Sequence, residues 1–193
     1  MRLFFIIILL LQFIWAFDFS PSKQGKSFAA LNVGYTHVFT QSKTTDAINP
    51  FNPYKNDRGA AYFAVKRGLA VGDSQNLLLF FYLDGSAGAN HRKGLYSVSG
   101  GIGSGYRLWN GRIIPSISVG YEGMNIAIPY FTTEQYNLYS VVGNGGIFID
   151  IAHGFGLELG YRRAFNQIGK NIEQVKFYND RFTISFAFYD FTL

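Results

Sequence analysis

Tyr96-Ser97-Val98-Ser99-Gly100-Gly101-Ile102-Gly103-Ser104-Gly105-Tyr106-Arg107-Leu108 runs into Trp109-Asn110-Gly111-Arg112, and then into Ile113-Ile114-Pro115-Ser116-Ile117-Ser118-Val119-Gly120-Tyr121-Glu122. Side chains along an extended chain point alternately to opposite faces. Tyr96, Val98, Gly100, Ile102, Ser104, Tyr106 and Leu108 therefore share one face, which is largely apolar with aromatics at its ends. Ser97, Ser99, Gly101, Gly103, Gly105 and Arg107 share the other, which is small and polar. After the break, Ile113, Ile117, Val119 and Tyr121 alternate with Ser116, Ser118, Gly120 and Glu122. Asn-Gly between two alternating runs is a strong hairpin signal. Pro115 removes one ladder bond, but it lies close to the turn, where the loss is smallest.

Working outward, period-two alternation predicts eight strands, at about 27–40, 58–71, 77–88, 94–108, 112–124, 135–151, 155–165 and 175–188. Helical periodicity is poor throughout this region. The connections at 41–57, 125–134 and 166–174 are long, and 89–93 belongs to the same set. Those at 72–76, 109–111 and 152–154 are short. Alternating short turns and longer loops mark a closed transmembrane barrel with one end in the periplasm. The faces agree: Leu157, Leu159 and Tyr161 oppose Glu158, Gly160 and Arg162, and Phe182, Ile184, Phe186 and Phe188 oppose Arg181, Thr183, Ser185 and Ala187. Lipid covers such large outward residues, and Tyr96, Tyr106, Tyr121, Tyr139 and Tyr161 suit a bilayer interface. The alternation alone leaves open a soluble lipocalin-like calyx, which would turn these residues inward.

Composition narrows the function classes. The chain of 193 residues is 18% aromatic and 15% charged, with 22 glycines and no cysteine. Thiol catalysis, disulfides and cysteine-bound metal are excluded. Met1-Arg2, the apolar run Leu3–Trp15 and Ala16 read as a secretory signal peptide over 1–16, with the barrel domain over 17–193. The apolar run is shorter than the ~20 residues a spanning helix needs.

The mature chain resembles the small eight-stranded outer-membrane barrels, the group of OmpA-like transmembrane domains and OmpX-like proteins. The resemblance covers the signal peptide and all eight strands and lies in pattern alone. It implies an all-β, antiparallel, up-and-down barrel in the outer membrane of a Gram-negative bacterium. With no cysteine and with His37, His91 and His153 apart, no metal and no cofactor is expected. The partners the resemblance implies are outer-membrane lipid, lipopolysaccharide and the barrel-assembly machinery, which reads a terminal aromatic. Phe191 and Leu193 fall out of phase with Phe182 to Phe188, and a bulge near Tyr189 would bring them back.

The interior is expected to hold Lys66, Asp84, Arg107, Glu122, Asp150, Glu158, Arg162 and Arg181, with Arg181 beside Glu158 and Arg162. Both signs are present, and unpaired buried charge is costly, so an ion-pair network that seals the lumen is expected. A narrow gated pore is the alternative. Strand three is ambiguous, because Leu77 to Leu83 is apolar on both faces.

The formal net charge of +5 comes from cations near loops, with no basic face interleaved with aromatics, so nucleic acid is not an expected partner. Lys43, Lys55 and Arg58 flank the first outside loop, Arg92 and Lys93 follow His91 in the second, and Lys170 and Lys176 flank the fourth. These suit lipopolysaccharide phosphates. Asn49-Pro50-Phe51-Asn52-Pro53-Tyr54 suits a host or surface ligand.

Enzymatic constellations fail on spacing. His37 and Asp73-Ser74 match the residue types of lipid A palmitoyltransferases, yet the predicted topology puts them at opposite ends. His37, His91 and His153 all lack the His-x-Ser of lipid A deacylases. Gly100-Gly101-Ile102-Gly103-Ser104-Gly105 has no following Lys or helix, so it reads as small residues making room for side chains opposite. The expected role is non-enzymatic and structural or interactive, with a lipid-modifying barrel enzyme as the competing class.

Overall fold

The computed structural model describes residues 27–44, 54–90, 93–127, 135–169 and 175–189, with side chains over 27–39, 58–88, 94–126, 137–165 and 179–189. The signal-peptide segment 1–16, His91, Arg92, Lys170 and the loop stretch Asn49–Pro53 lie outside these residues.

Eight antiparallel strands form the chain: β1 Ser27–Thr44, β2 Tyr54–Val71, β3 Leu77–Asn90, β4 Lys93–Tyr106, β5 Ile113–Ala127, β6 Gln135–Ala152, β7 Phe155–Gly169 and β8 Val175–Tyr189. Each pairs with its sequence neighbour, and β1 pairs with β8, so the barrel is closed and has no free edge. The expected strands are all present, but several reach further. Residues 41–44 and 54–57 continue the β1–β2 ladder as far as Ser42↔Tyr54, instead of belonging to the first loop. Asn90 pairs with Lys93, so the second outside connection is only 91–92.

The Asn-Gly hairpin forms with a shifted centre. Trp109 and Asn110 take the left-handed φ values, 49° and 58°, and Gly111 N–H donates to Leu108 O at 3.0 Å. The turn is of the I′ kind, centred on Trp109-Asn110, with Gly111 at φ 84° completing a four-residue connection to the Leu108↔Ile113 bridge.

The β8 ladder with β1 runs without a shift to Ala30↔Tyr189, and Tyr189 is buried. No bulge therefore forms at Tyr189. Phe191 and Leu193 lie beyond the described residues. The register shifts of β6 against β7 fall elsewhere, between Tyr139 and Val141 and between Asp150 and Ala152.

The faces separate as period two demands. Phe63, Leu83, Val98, Ile102, Ile117, Ile147, Leu159, Phe182, Ile184 and Phe186 all face outward and are exposed, with Phe81 reaching 72%. Strand three resolves in the same way: Leu77, Leu79, Phe81 and Leu83 point out, while Leu78, Phe80, Tyr82 and Asp84 point in. A soluble calyx would show the reverse, so that alternative is excluded.

The interior is layered. Phe28, Leu78, Phe80, Ile114, Phe148 and Tyr189 pack across the periplasmic end. Val38, Ala60, Leu95, Met124, Ile126 and Leu138 pack across the outer end. The polar residues lie between them. Room for the large inward rings comes from glycine. A Cβ on Gly101 would meet Tyr82 Cε1 at 2.8 Å, and one on Gly103 would meet Phe80 Cε2 at 2.6 Å. The glycine-rich run of β4 is thus the surface against which β3 aromatics pack.

Candidate functional site

Inward positions on all eight strands carry polar side chains into the middle layer, where they form two groups. In the lower group, Lys66 on β2 contacts both carboxylate oxygens of Glu158 on β7, at 2.6 and 2.7 Å. Tyr189 Oη donates to Glu158 Oε2 at 2.7 Å and accepts from Lys66 at 3.0 Å. Asn32 Nδ2 adds a third donor to the same oxygen at 2.9 Å. The ammonium also lies 5.7 Å from the Phe80 ring centre and 5.4 Å from that of Tyr189, within cation–π range.

In the upper group, Arg162 on β7 holds Asp84 on β3 with both terminal nitrogens and reaches Glu122 Oε1 on β5 at 3.1 Å. Its Nε donates to Asn144 Oδ1, and Asn144 Nδ2 donates to Tyr82 Oη at 3.0 Å and Ser118 Oγ at 2.9 Å. Arg181 on β8 contacts Glu122 Oε1 at 2.7 Å and donates to Ser97 Oγ at 2.8 Å. Glu122 is fully buried and serves both arginines. Three cations (Lys66, Arg162, Arg181) face three carboxylates (Asp84, Glu122, Glu158), so this middle layer is electrically balanced.

A cavity of about 50 Å³ separates the groups, lined by Tyr62, Lys66, Tyr82, Asp84, Glu158 and Arg162 among others. That is room for a few waters at ~10–15 Å³ each. Asn32 Oδ1, Ser99 Oγ, Glu122 Oε2, Arg181 Nε and both amide atoms of Asn179 are buried without a protein partner among the described residues, which suits internal hydration.

Six of the eight expected interior charges thus come together. The other two do not join them. Arg107 is buried near the periplasmic mouth, where it donates to Gln75 O at 2.8 Å. Asp150 accepts from Gly154 N–H at 2.7 Å and caps the β6–β7 turn. The expected neighbourhood of Arg181 holds for Arg162, its partner in the ladder, and is corrected for Glu158. Arg181 lies opposite Arg162, and it pairs with Glu122 across the barrel, because the lumen is narrow enough for long side chains to span it. Glu158 pairs with Lys66 instead.

Arg58 is also corrected. It is 8% exposed, points inward at the outer end and donates to Gly94 O at 2.9 Å, so it is not a loop cation. The backbones of Lys43, Lys55, Lys93 and Lys176 lie in β1, β2, β4 and β8, near the outer ends. Asn32, Tyr62, Tyr82, Asn144 and Tyr189 belong to the network and were not singled out by sequence. Their signal is a large polar side chain at an inward phase, with Tyr82 also facing Gly101 and Gly120.

His37 faces outward, 3.1 Å from Tyr35 Oη through its Nδ1 and with its ring tilted 57° against that of Phe39. It pairs with Gly59, twelve residues from Val71 at the other end of β2, which puts Asp73-Ser74 about 40 Å away along the strand. Among the described residues no three His, Asp or Glu side chains converge as metal ligands.

The outer wall changes character with height. Across β6, β7, β8 and β1 the register aligns Ile147, Leu159, Ile184 and Tyr35 in one row, then Gly145, Tyr161, Phe182 and His37, then Gly143, Arg163, Asp180 and Phe39. Tyr161 Oη donates to Asp180 Oδ1 at 3.0 Å, and Arg163 Nε lies 3.9 Å from that oxygen. An apolar wall thus gives way to aromatic, then charged rows. A lipid-facing charge costs ~2–4 kcal/mol at the bilayer centre and little at the interface, so the Arg163 row marks the outer interface.

An apolar belt outside, a balanced polar layer inside and a closed ladder define a transmembrane β-barrel of the outer-membrane class, and the protein belongs in the outer membrane. No protein-family model and no curated protein sequence matches the chain. Among solved structures it is similar to Ail, the attachment invasion locus protein of Yersinia pestis, with 12% identity over 85% of this chain and 100% of that one, TM-score 0.48. It is similar to Neisserial surface protein A, with 9% identity over 85% of this chain and 97% of that one, TM-score 0.49. It is also similar to OprG from Pseudomonas aeruginosa, with 8% identity over 86% of this chain and 98% of that one, TM-score 0.48.

Proposed function

We propose that this barrel is a non-enzymatic outer-membrane protein whose work is done at its outer rim, by contact with lipopolysaccharide or another surface ligand. The observation that carries this reading is the filled lumen. Apolar layers at both ends enclose a balanced ion-pair layer. Such an interior supports the sealed reading over the gated pore. The separation of His37 from Asp73-Ser74 supports the non-enzymatic reading over lipid modification.

The rim cations Lys43, Lys55, Arg92, Lys93, Lys170 and Lys176 are the phosphate contacts in this reading, with Arg58 withdrawn. Asn49 to Tyr54 is the segment for a surface ligand. Arg92→Ser combined with Lys93→Ser is expected to lower lipopolysaccharide co-purification, and unchanged co-purification would sink the contact. Reconstituted in planar bilayers, the barrel is expected to be silent. Steady conductance would establish the pore, and altered lipid A masses on overproduction would establish the enzyme.

A further inference from the structure

The lipid-facing wall carries a groove that the lumen-centred reading does not use. It has a volume of about 710 Å³ and is lined by Gly145, Ile147, Leu159, Tyr161, Phe182 and Ile184, with Tyr35 and His37 at one side. Its floor is open because Gly145 points to lipid with no side chain, and a Cβ there would meet nothing within 4 Å. Ile147, Leu159 and Ile184 give it apolar walls. At its upper edge the lining becomes polar through Tyr161 Oη and His37.

One row above stands Arg163, whose side chain is 59% exposed. Its ion-pair partner among the described residues, Asp180, is met through Nε alone at 3.9 Å. Asp180 also accepts from Tyr161 and so holds two elements of the rim in place. Its carboxylate would repel a phosphate set directly on it. The exposed Arg163 guanidinium, which also interacts with Tyr161, can receive an anion on the side away from Asp180.

We propose that this wall binds one acylated lipid of the outer leaflet, an acyl chain lying in the Gly145 groove and a head-group phosphate resting on Arg163. Two features fix the occupant. The groove lies in the bilayer belt, where the occupant is hydrocarbon. The cation directly above it selects a head group with phosphate, which guanidinium binds strongly. The site rests on the reading of the barrel as a lipid-contacting protein, but it uses none of the loop cations.

The test is lipid retention in nanodiscs made with lipopolysaccharide, with dephosphorylated lipopolysaccharide as the control, measured by native mass spectrometry. Arg163→Ser is expected to lower retained lipopolysaccharide about tenfold or more, the scale of a lost charge-assisted hydrogen bond, and to leave the dephosphorylated lipid unaffected. Gly145→Leu fills the groove without touching the lumen and is expected to lower retention of both lipids. Heat-dependent gel mobility checks that each variant folds. If Gly145→Leu does not fold, Arg163→Ser decides alone. Retention equal to wild type in Arg163→Ser would overturn the site. If retention then falls only with Arg92→Ser and Lys93→Ser, the loop reading stands and the wall site fails. A loss confined to the wall variants supports the site and sinks the loop contact.

Discussion

Glu122→Gln tests the lumen most directly. Glu122 is fully buried, and its Oε1 meets Arg181 at 2.7 Å and Arg162 at 3.1 Å. At an effective dielectric of about 20, each contact has a gross Coulomb energy of about 5–6 kcal/mol. Desolvation offsets most of that in the intact network. The amide keeps the shape and one acceptor but leaves two arginines facing Asp84 alone. Removing one partner of a buried charge pair costs about 3–5 kcal/mol, so a loss of about 4 kcal/mol is expected. Arg181→Met leaves the opposite excess and is also destabilising. The double variant restores balance, because Arg162 and Asp84 remain paired. Its loss is therefore expected to fall short of the sum of the single losses by about 2 kcal/mol or more, where independent sites would add within ~0.5. Urea unfolding in detergent micelles, followed by Trp109 fluorescence and gel mobility, measures all three. Additive losses, or a Glu122→Gln loss under about 1 kcal/mol, would show that water screens these charges and that the lumen is not a dry, coupled network.

Three further outcomes follow from the same geometry. Ile102→Arg, on the mid-belt face of β4, is expected to lower barrel stability in vesicles by about 2–4 kcal/mol, while Leu108→Arg beside the periplasmic turn costs about 0–1; equal costs would misplace the belt. Gly103→Ala presses on the Phe80 ring and is expected to cost about 1–3 kcal/mol in urea unfolding, whereas Gly100→Ala, with no neighbour closer than 3.5 Å, is expected to be near neutral. In a chain beginning at Phe17, Trp109 is the remaining tryptophan, and its place at the periplasmic rim predicts quenching by lipids brominated near the head group; an unquenched, water-like emission would put that turn outside the interface.

Strand number, pairing order and face were written in the period-two pattern, because one face of every strand must meet lipid and the other cannot. Even β3 obeys, although Leu77 to Leu83 carries no alternation. Its face is decided by its neighbours, since Arg67↔Phe81 and Phe81↔Ile102 set its register between strands whose faces are clear. What the pattern does not hold is distance across the lumen. Arg181 and Glu122 lie on β8 and β5, which share no ladder, and Lys66 reaches Glu158 from β2 to β7. Those pairings depend on shear and side-chain length, which period two does not encode. Arg58 shows the same limit from the other side. Its place beside a long loop suggested solvent, but β2 extends to Tyr54 and carries Arg58 into the inward phase. Arg163 and Asp180 are legible in the same pattern, since they continue the outward phase of Tyr161 and Phe182.

The two halves of the structure constrain each other. An eight-stranded lumen is just wide enough for side chains to fill, so a polar interior must find all its partners within itself or with a few waters. Here it does so by balancing three cations against three carboxylates between two apolar layers. Those layers keep bulk water from the ion pairs and make each carboxylate depend on its specific partners. Among the described residues the six middle-layer charges pair with one another, and Asn32 Oδ1, Ser99 Oγ, Glu122 Oε2 and Arg181 Nε are left for water. Charge that is not paired inside the barrel lies on its outer surfaces. They include the outer rim and the stretch of wall from Gly145 to Arg163, where the belt passes from hydrocarbon to cation within two rows of residues.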